Sequence, residues 1–267
     1  MIPVKGYKSN ILKNIKYNWK GEIMETTSRN YFDDKTLSNI MFKYEATRNT
    51  VVPYLENLTK DFERKYGTRT VAHLESRIKK IDRVAEKLKK KKLEINEENV
   101  YKNIHDMVGV RLVCPFLHDV YDVICLIKSS GLFIINEKDF ITNPKESGYR
   151  GYHMIVEIPV KFSDYTEYVE VEIQIKTSLM HAWDTVQHNV YEKERSGKEI
   201  NDIKYKLLQE MSEEFMGHDI DLDPTFKIEN FDLISTMTNY DELYIQSTSN
   251  AKESAFQRGK ILAKRHH

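Results

Sequence analysis

The segment Val169-Glu-Val-Glu-Ile-Gln-Ile-Lys176 alternates apolar and polar residues without a break. Side chains on a strand point to opposite faces in turn. Val169, Val171, Ile173 and Ile175 therefore make a face for the core, and Glu170, Glu172, Gln174 and Lys176 line up on the other. A half-buried strand with its polar face in water has the same pattern. The stretch Lys145-Glu-Ser-Gly-Tyr-Arg-Gly-Tyr-His153 just upstream weighs against that plain reading. Within it, residues 147–151 read as a flexible turn that presents an aromatic ring between small residues. Tyr149 can serve there as a stacking platform, since every nucleic-acid base has a π face. The bland alternative is a loop tyrosine packed on the sheet.

A second set is basic. Arg77, Lys79, Lys80, Arg83 and Lys87 fall within residues 73–92, read as one helix, and Arg111 lies on a strand over 108–116. Helical spacing brings Arg77, Lys80 and Lys87 to one ligand, and phosphate is the ligand such a set suits. Arginine also stacks on planar rings, which lysine does less well. A solvated charged face is the ordinary explanation of such a helix, and of the run Lys89-Lys90-Lys91-Lys92 at its end. No GxxxxGK[ST], GxGxxG, GxSxG or HExxH occurs, so any phosphate is held by side chains and not by a glycine-rich backbone. Asp106, just before the strand of Arg111, and Glu172 are placed to hold one Mg2+. That hard cation takes one or two carboxylates and completes its shell from substrate phosphates. His181 and His188, seven apart on one helix face, are conceivable as a metal pair, though polar-face histidines explain them as well.

The bulk properties narrow the class. A chain of 267 residues holds one large domain, or one domain with extensions. Zero net charge argues against a general nucleic-acid binder and leaves room for a local basic site. Cys114 and Cys125 are the only cysteines, so no disulfide framework or CxxC metal site is implied, and a reducing cytoplasm is expected. No signal peptide and no apolar run of membrane-spanning length is visible, so no membrane partner is expected.

The elements that must position these residues follow from periodicity. Residues 37–66 read as a helix, with Pro53 as a kink or break. Residues 73–92 read as a second helix, with Leu74, Ile78, Ile81, Ala85 and Leu88 as its apolar stripe. Then come a strand over 108–116, a helix over 120–129 and a short strand over 132–136. A hairpin follows, with strands over 152–162 and 168–176 joined at Ser163-Asp164. Helices over 179–194 and from an Asn201 cap to 215 complete the series. This is an α+β domain with a mixed β-sheet flanked by helices. Residues 1–36 and 216–267 are expected to be N- and C-terminal helical extensions around a domain at 37–215, at least one of them serving as a partner, oligomer or control surface.

Four motifs in order carry a resemblance: Asp106-Met-Val-Gly-Val-Arg111; Lys145 to His153; Glu172-Ile-Gln-Ile-Lys-Thr177; and Met180-His-Ala-Trp183 with Gln187-His188. Together they resemble the RelA/SpoT synthetase domain, a nucleotidyltransferase-like fold, and most of all its small alarmone synthetases, over about residues 40–215. The resemblance implies transfer of pyrophosphate from ATP to a ribose 3′-hydroxyl. It implies Arg77 and Arg111 on the two faces of the adenine, and Lys79 and Lys87 on the ATP phosphates. Asp106 and Glu172 would hold Mg2+, with Glu172 also the base for the 3′-hydroxyl. Tyr149 would stack on the acceptor base, with His153 and Gln174 near the acceptor. By charge, Lys145, Arg150 and Lys176 are the groups open to the phosphates of a nucleotide acceptor.

Three positions depart from the family's pattern: Lys176 replaces its usual arginine, Gln187-His188 its Glu-His, and Arg83 a small residue. The first two lie on the acceptor side. They keep open a toxin-like branch that modifies the 3′ end of tRNA, with an antitoxin as partner. GDP or GTP is the preferred acceptor, because neutral charge disfavours strong tRNA binding; a homo-oligomer is the other partner considered. A polymerase-β-like nucleotidyltransferase using Glu170 and Glu172, and an inactive RNA-binding module, are the readings from other classes.

Overall fold

The computed structural model describes residues 31–195 and 202–225. Most of both expected extensions, and the Asn201 cap, lie outside the described residues. In chain order the elements are α1 (Asp34–Tyr66), β1 (His73–Ile78), α2 (Ile81–Lys90), α3 (Glu97–Asn103), β2 (Val108–Cys114), α4 (Leu117–Ser129), β3 (Phe133–Asp139), β4 (Tyr152–Lys161), β5 (Thr166–Thr177), α5 (Ser178–Arg195) and α6 (Asp202–Asp221). The expected α+β class is what the structure has. None of the described helices is long and apolar enough to cross a membrane.

One expected helix is wrong in kind. Residues 73–92 divide into strand β1 and helix α2. Leu74 and Ile78 are four apart, which suits a helix and also suits every second step of a strand. Antiparallel pairing with β2 decides for the strand, from His73 opposite Val113 to Ile78 opposite Val108. Lys80, with extended ψ of 137°, then starts α2. Arg77, Lys80 and Lys87 therefore do not share a helix face, and the helical argument for them fails. Two smaller differences follow local chemistry. Pro53 lies inside α1 and does not end it. The short α3 was not anticipated, although Asn96 caps it by accepting the Asn99 N–H at 2.9 Å.

The chain separates into two compact units. Among the described residues, 31–42 and 80–104 form one, in which α2 buries Ile81, Val84, Ala85 and Leu88 and α3 buries Val100. The described residues of 43–79 and of 105–225 form the other, which contains the whole sheet.

The sheet runs β1-β2-β5-β4-β3. Only β2 and β5 are parallel; the other pairs are antiparallel. The alternation in β5 is realised as expected, with Val169, Val171, Ile173 and Ile175 all buried. They join Val108, Val110 and Leu112 of β2 and Met154, Val156 and Ile158 of β4 in one core face. α4 packs on β2 and β5 and buries Val120, Val123, Ile124 and Ile127.

Helix α6 packs along α5 and continues past residue 215, the expected end of the domain. Its last turn is tied down. The Thr177 hydroxyl donates to Asp219 at 2.5 Å, and the His118 backbone N–H donates to Asp223 at 2.8 Å. The His118 imidazole Nδ1 lies 2.7 Å from the same carboxylate. Burial pushes the Asp219 carboxyl up to about 7, against the pull of Thr177, and burial raises Asp119 to about 6. A carboxyl raised on folding keeps its proton in the native state at a pH where the unfolded chain has lost it. Its contribution therefore falls as pH rises from about 4 to about 7. Asp219→Asn is expected to raise the thermal midpoint at about pH 8 and to flatten its decline from about pH 5.5. Calorimetry at the two pH values checks this, and an unchanged slope in the variant contradicts it.

Candidate active site

The polar face of the sheet is assembled by register. Glu75, Arg111, Gln174 and His153 stand abreast on β1, β2, β5 and β4. In the next row Arg77, Gly109 and Glu172 stand abreast on β1, β2 and β5. Because residues two apart on a strand share a face, all of these and Lys176 point to one side. Gly109 has a spatial role: a Cβ there would touch Arg77 Cγ at 3.7 Å and Nε at 3.8 Å. A methyl group fits there in ordinary contact, and a bulkier side chain would crowd the guanidinium. A pocket opens at this place, with Arg77, Arg111, Glu75 and Gln174 in its lining.

Glu172 is held as a carboxylate. Burial works to raise its pKa, but hydrogen bonds from His153 Nδ1 at 3.2 Å and Gln174 Nε2 at 2.8 Å overcome this and leave it below the usual range. Asp106 pushes weakly the other way, so the two acids sense each other. Asp106 itself is ion-paired with Lys79.

A chain of polar contacts runs from Glu172 back to the pocket. His153 Nε2 lies 2.5 Å from the Tyr149 hydroxyl, which lies 3.1 Å from Lys176 Nζ. Lys176 donates to Asp184 at 3.1 Å, and Asp184 is 3.0 Å from Arg111 Nη2. An ammonium can only donate. The Glu172 carboxylate can only accept, so His153 carries its proton on Nδ1 and its Nε2 accepts from the Tyr149 hydroxyl, which in turn accepts from Lys176. Lys176 is fully buried, and burial lowers its pKa to about 8 against the pull of Asp184. Burial would raise Asp184, yet Lys176 and Arg111 hold it below the ordinary range.

The loop bearing Tyr149 is not the flexible turn expected. Ser212 donates to the Gly148 carbonyl at 2.5 Å and Gln209 to the Glu146 carbonyl at 2.5 Å, both from α6. Gly148 has φ +85°, and a Cβ there would come within 3.0 Å of Ser212 Cβ, so the position demands glycine. The Tyr149 ring is 8% exposed and meets Trp183, Phe140 and His153 edge-on. Lys145 Nζ lies 4.5 Å from its centroid and Lys176 Nζ 4.7 Å.

Of the residues singled out in the sequence, the sheet unit brings together Arg77, Arg111, Glu172, Gln174, His153, Tyr149 and Lys145, with Lys79 on Asp106. Lys87 lies on α2 in the other unit. His181 does not pair with His188 as a ligand set; among the described residues it groups with His73 and Glu75. Sequence reasoning missed Glu75 and Asp184. Glu75 is two residues before Arg77, and the alternation of His73, Glu75 and Arg77 against Leu74, Ser76 and Ile78 was the available signal. Asp184 carried none, since its value comes from Arg111 and Lys176, distant in the chain.

A family model described as the region found in RelA/SpoT proteins matches residues 76–197. The GTP pyrophosphokinase YwaC of Bacillus subtilis is 30% identical over 203 residues, 76% of this chain and 86% of that protein. The GTP pyrophosphokinase YjbM of the same bacterium is 28% identical over 176 residues, 66% and 82% of the two chains. Small alarmone synthetase 1 from Bacillus subtilis, solved bound to its product pppGpp, superimposes with a TM-score of 0.63 at 25% identity, covering 70% of this chain and 95% of that one. Small alarmone synthetase 2 from the same source gives 0.57 at 31% identity, covering 64% and 91%. The motifs, the sheet order and these likenesses agree, and the chain belongs to the RelA/SpoT family, among its small alarmone synthetases.

Proposed function

We propose that this protein transfers the β,γ-pyrophosphate of ATP to the 3′-hydroxyl of GDP or GTP, giving (p)ppGpp. The observation that carries the reading is Glu172, a carboxylate held deprotonated one register row from Arg111 and abreast of Arg77. Relatives named as GTP pyrophosphokinases support the acceptor. The tRNA 3′ end and an antitoxin partner, both raised by the sequence, gain no support from any of them.

Arg77 and Arg111 flank the adenine, where planar guanidinium groups stack better than ammonium groups. Lys79 neutralises the ATP phosphates. Tyr149 stacks on the guanine once the long Lys145 side chain swings off its ring, and Lys145 then meets the acceptor phosphates. Gln174 and His153 border the ribose. Glu172 takes the proton of the 3′-hydroxyl, and His153 keeps the carboxylate aimed. The ribose oxygen bonds to the β-phosphorus, the bond from that phosphorus to the α-phosphate oxygen breaks, and AMP leaves. Asp106 and Glu172 are two hard oxygen donors near a lysine, a set that fits a divalent cation such as Mg2+. When bound, that ion neutralises charge on the transferring phosphates.

Incubation with β-labelled ATP, Mg2+ and either GDP, GTP or deacylated tRNA tests this. Label is expected in a guanosine nucleotide that has gained two phosphates, with AMP as coproduct. Label in tRNA, or released as free pyrophosphate, overturns it.

Lys176 gives a second test. Lys176→Met keeps an unbranched side chain but removes the donor that holds the Tyr149 hydroxyl in place against His153. Turnover is expected to fall roughly tenfold, the lower end for losing a partner that orients an active group. Stability should hold or improve, because replacing a buried charge with an apolar group is often neutral or favourable. Thermal unfolding alongside kcat separates the two effects; unchanged kcat would show that the anchoring of the Tyr149 hydroxyl by Lys176 does not matter.

A further inference from the structure

We propose that His73, Glu75 and His181 form a metal site for a late first-row transition ion such as Zn2+, distinct from the Asp106 and Glu172 pair. His73 and Glu75 are two apart on β1 and share its polar face, and His181 sits in the first turns of α5. Glu75 Oε1 lies 3.5 Å from His73 Nε2 and 3.6 Å from His181 Nε2. Both separations exceed an ordinary N–H···O hydrogen bond. The three side chains converge at ion-pair range around Glu75, with no short hydrogen bond joining them. Ligand atoms set ~2.0–2.2 Å from a tetrahedral zinc lie about 3.4 Å from each other, so two edges of that coordination shell are already present. All three ligating atoms lie within 4.8 Å of one another, and modest side-chain rotation closes the third edge.

The donor chemistry sorts the ions. Two imidazole nitrogens and one carboxylate suit Zn2+, while the all-oxygen pair Asp106 and Glu172 suits Mg2+. Two histidines and a glutamate also leave a fourth position open.

The site is wired to the neighbouring pocket. Arg111 Nη1 lies 3.2 Å from His181 Nδ1 and 3.4 Å from Glu75 Oε2. Arginine can only donate, so His181 accepts at Nδ1 and carries its ring proton on Nε2. A metal on Nε2 moves that proton to Nδ1, which can then no longer accept from Arg111. Metal occupancy and the hydrogen bonding of Arg111 therefore exclude one another in their present form. If Arg111 holds the ATP adenine, as proposed above, metal and ATP alter each other's affinity by the same factor.

The test is titration of the full chain with Zn2+ alone, followed by calorimetry, and with Co2+ alone, followed by visible absorption, in wild type, His73→Ala and His73→Gln. His73 is half-exposed on an edge strand, and His73→Gln keeps a polar chain there should the alanine perturb folding. All three proteins also carry His266→Ala and His267→Ala, which removes adjacent terminal histidines as a rival chelate. One Zn2+ per chain is expected, with affinity at least ~10-fold weaker in both His73 variants, and intense Co2+ bands of low coordination number in wild type only. Equal Zn2+ affinity in all three, no saturable binding, or a pale six-coordinate Co2+ spectrum overturns the site. Because no nucleotide is present, failure here leaves the pyrophosphotransferase reading untouched.

Discussion

Glu172→Gln is expected to reduce pyrophosphate transfer by ~10²-fold or more, with the fold and ATP affinity close to wild type. The substitution keeps size and shape. It removes the negative charge, and with it the group that takes the 3′-hydroxyl proton. It also disturbs the surroundings: Glu172 accepts from His153 on one oxygen and from Gln174 on the other. A glutamine offers one oxygen and one NH2, so one of those donors loses its acceptor. Asp106→Asn should act in the same direction, since it deletes the other carboxylate and leaves Lys79 unpaired. Single-turnover transfer from labelled ATP measures both. A folded Glu172→Gln protein with near wild-type turnover would remove this residue from the chemistry.

Trp183→Ala is expected to lose about 3–5 kcal/mol of stability, the range for truncating a large buried aromatic. Against a total of roughly 5–15 kcal/mol for a domain, that is a large share. Trp183 is only 2% exposed, and its indole N–H donates to the Leu208 carbonyl at 2.7 Å, linking α5 to α6. Its ring also stands edge-on to Tyr149 at 6.4 Å and backs the Gly148 turn. The loss should therefore reach function: KM for the guanosine nucleotide is expected to rise more than KM for ATP. Urea unfolding and the two KM values check this. Stability within about 1 kcal/mol of wild type would mean that the tryptophan is not the wedge between loop and helices that its contacts indicate.

The readability of this chain varied with how local the deciding force was. The alternation of β5 carried its own answer, because one buried face dictates a period of two, and Glu172 and Gln174 fell on the open face as expected. Residues 73–92 failed for the opposite reason. Leu74, Ile78, Ile81, Ala85 and Leu88 fit one helical stripe, yet the first two belong to an edge strand whose partner, β2, begins thirty residues later. Lys176 read as an acceptor-side substitution in a family motif. Its fully buried ammonium, wedged between Tyr149 and Asp184, depends on α5 folding back over β5.

The sequence by itself determined the chemistry: two acids, two arginines, a base-sized aromatic and no phosphate-binding loop, in an order that matches one family. Side-chain type and short spacing carry that much, because charge, hydrogen-bonding capacity and strand alternation are local properties. Tertiary structure alone decided which residues meet. Register placed Glu75, Arg111, Gln174 and His153 in one row, α6 stiffened the Tyr149 loop, and α5 brought His181 to His73 and Glu75. Strand pairing and helix packing join residues far apart in the chain, and a strand's neighbours follow from the burial of whole faces, which no single segment encodes.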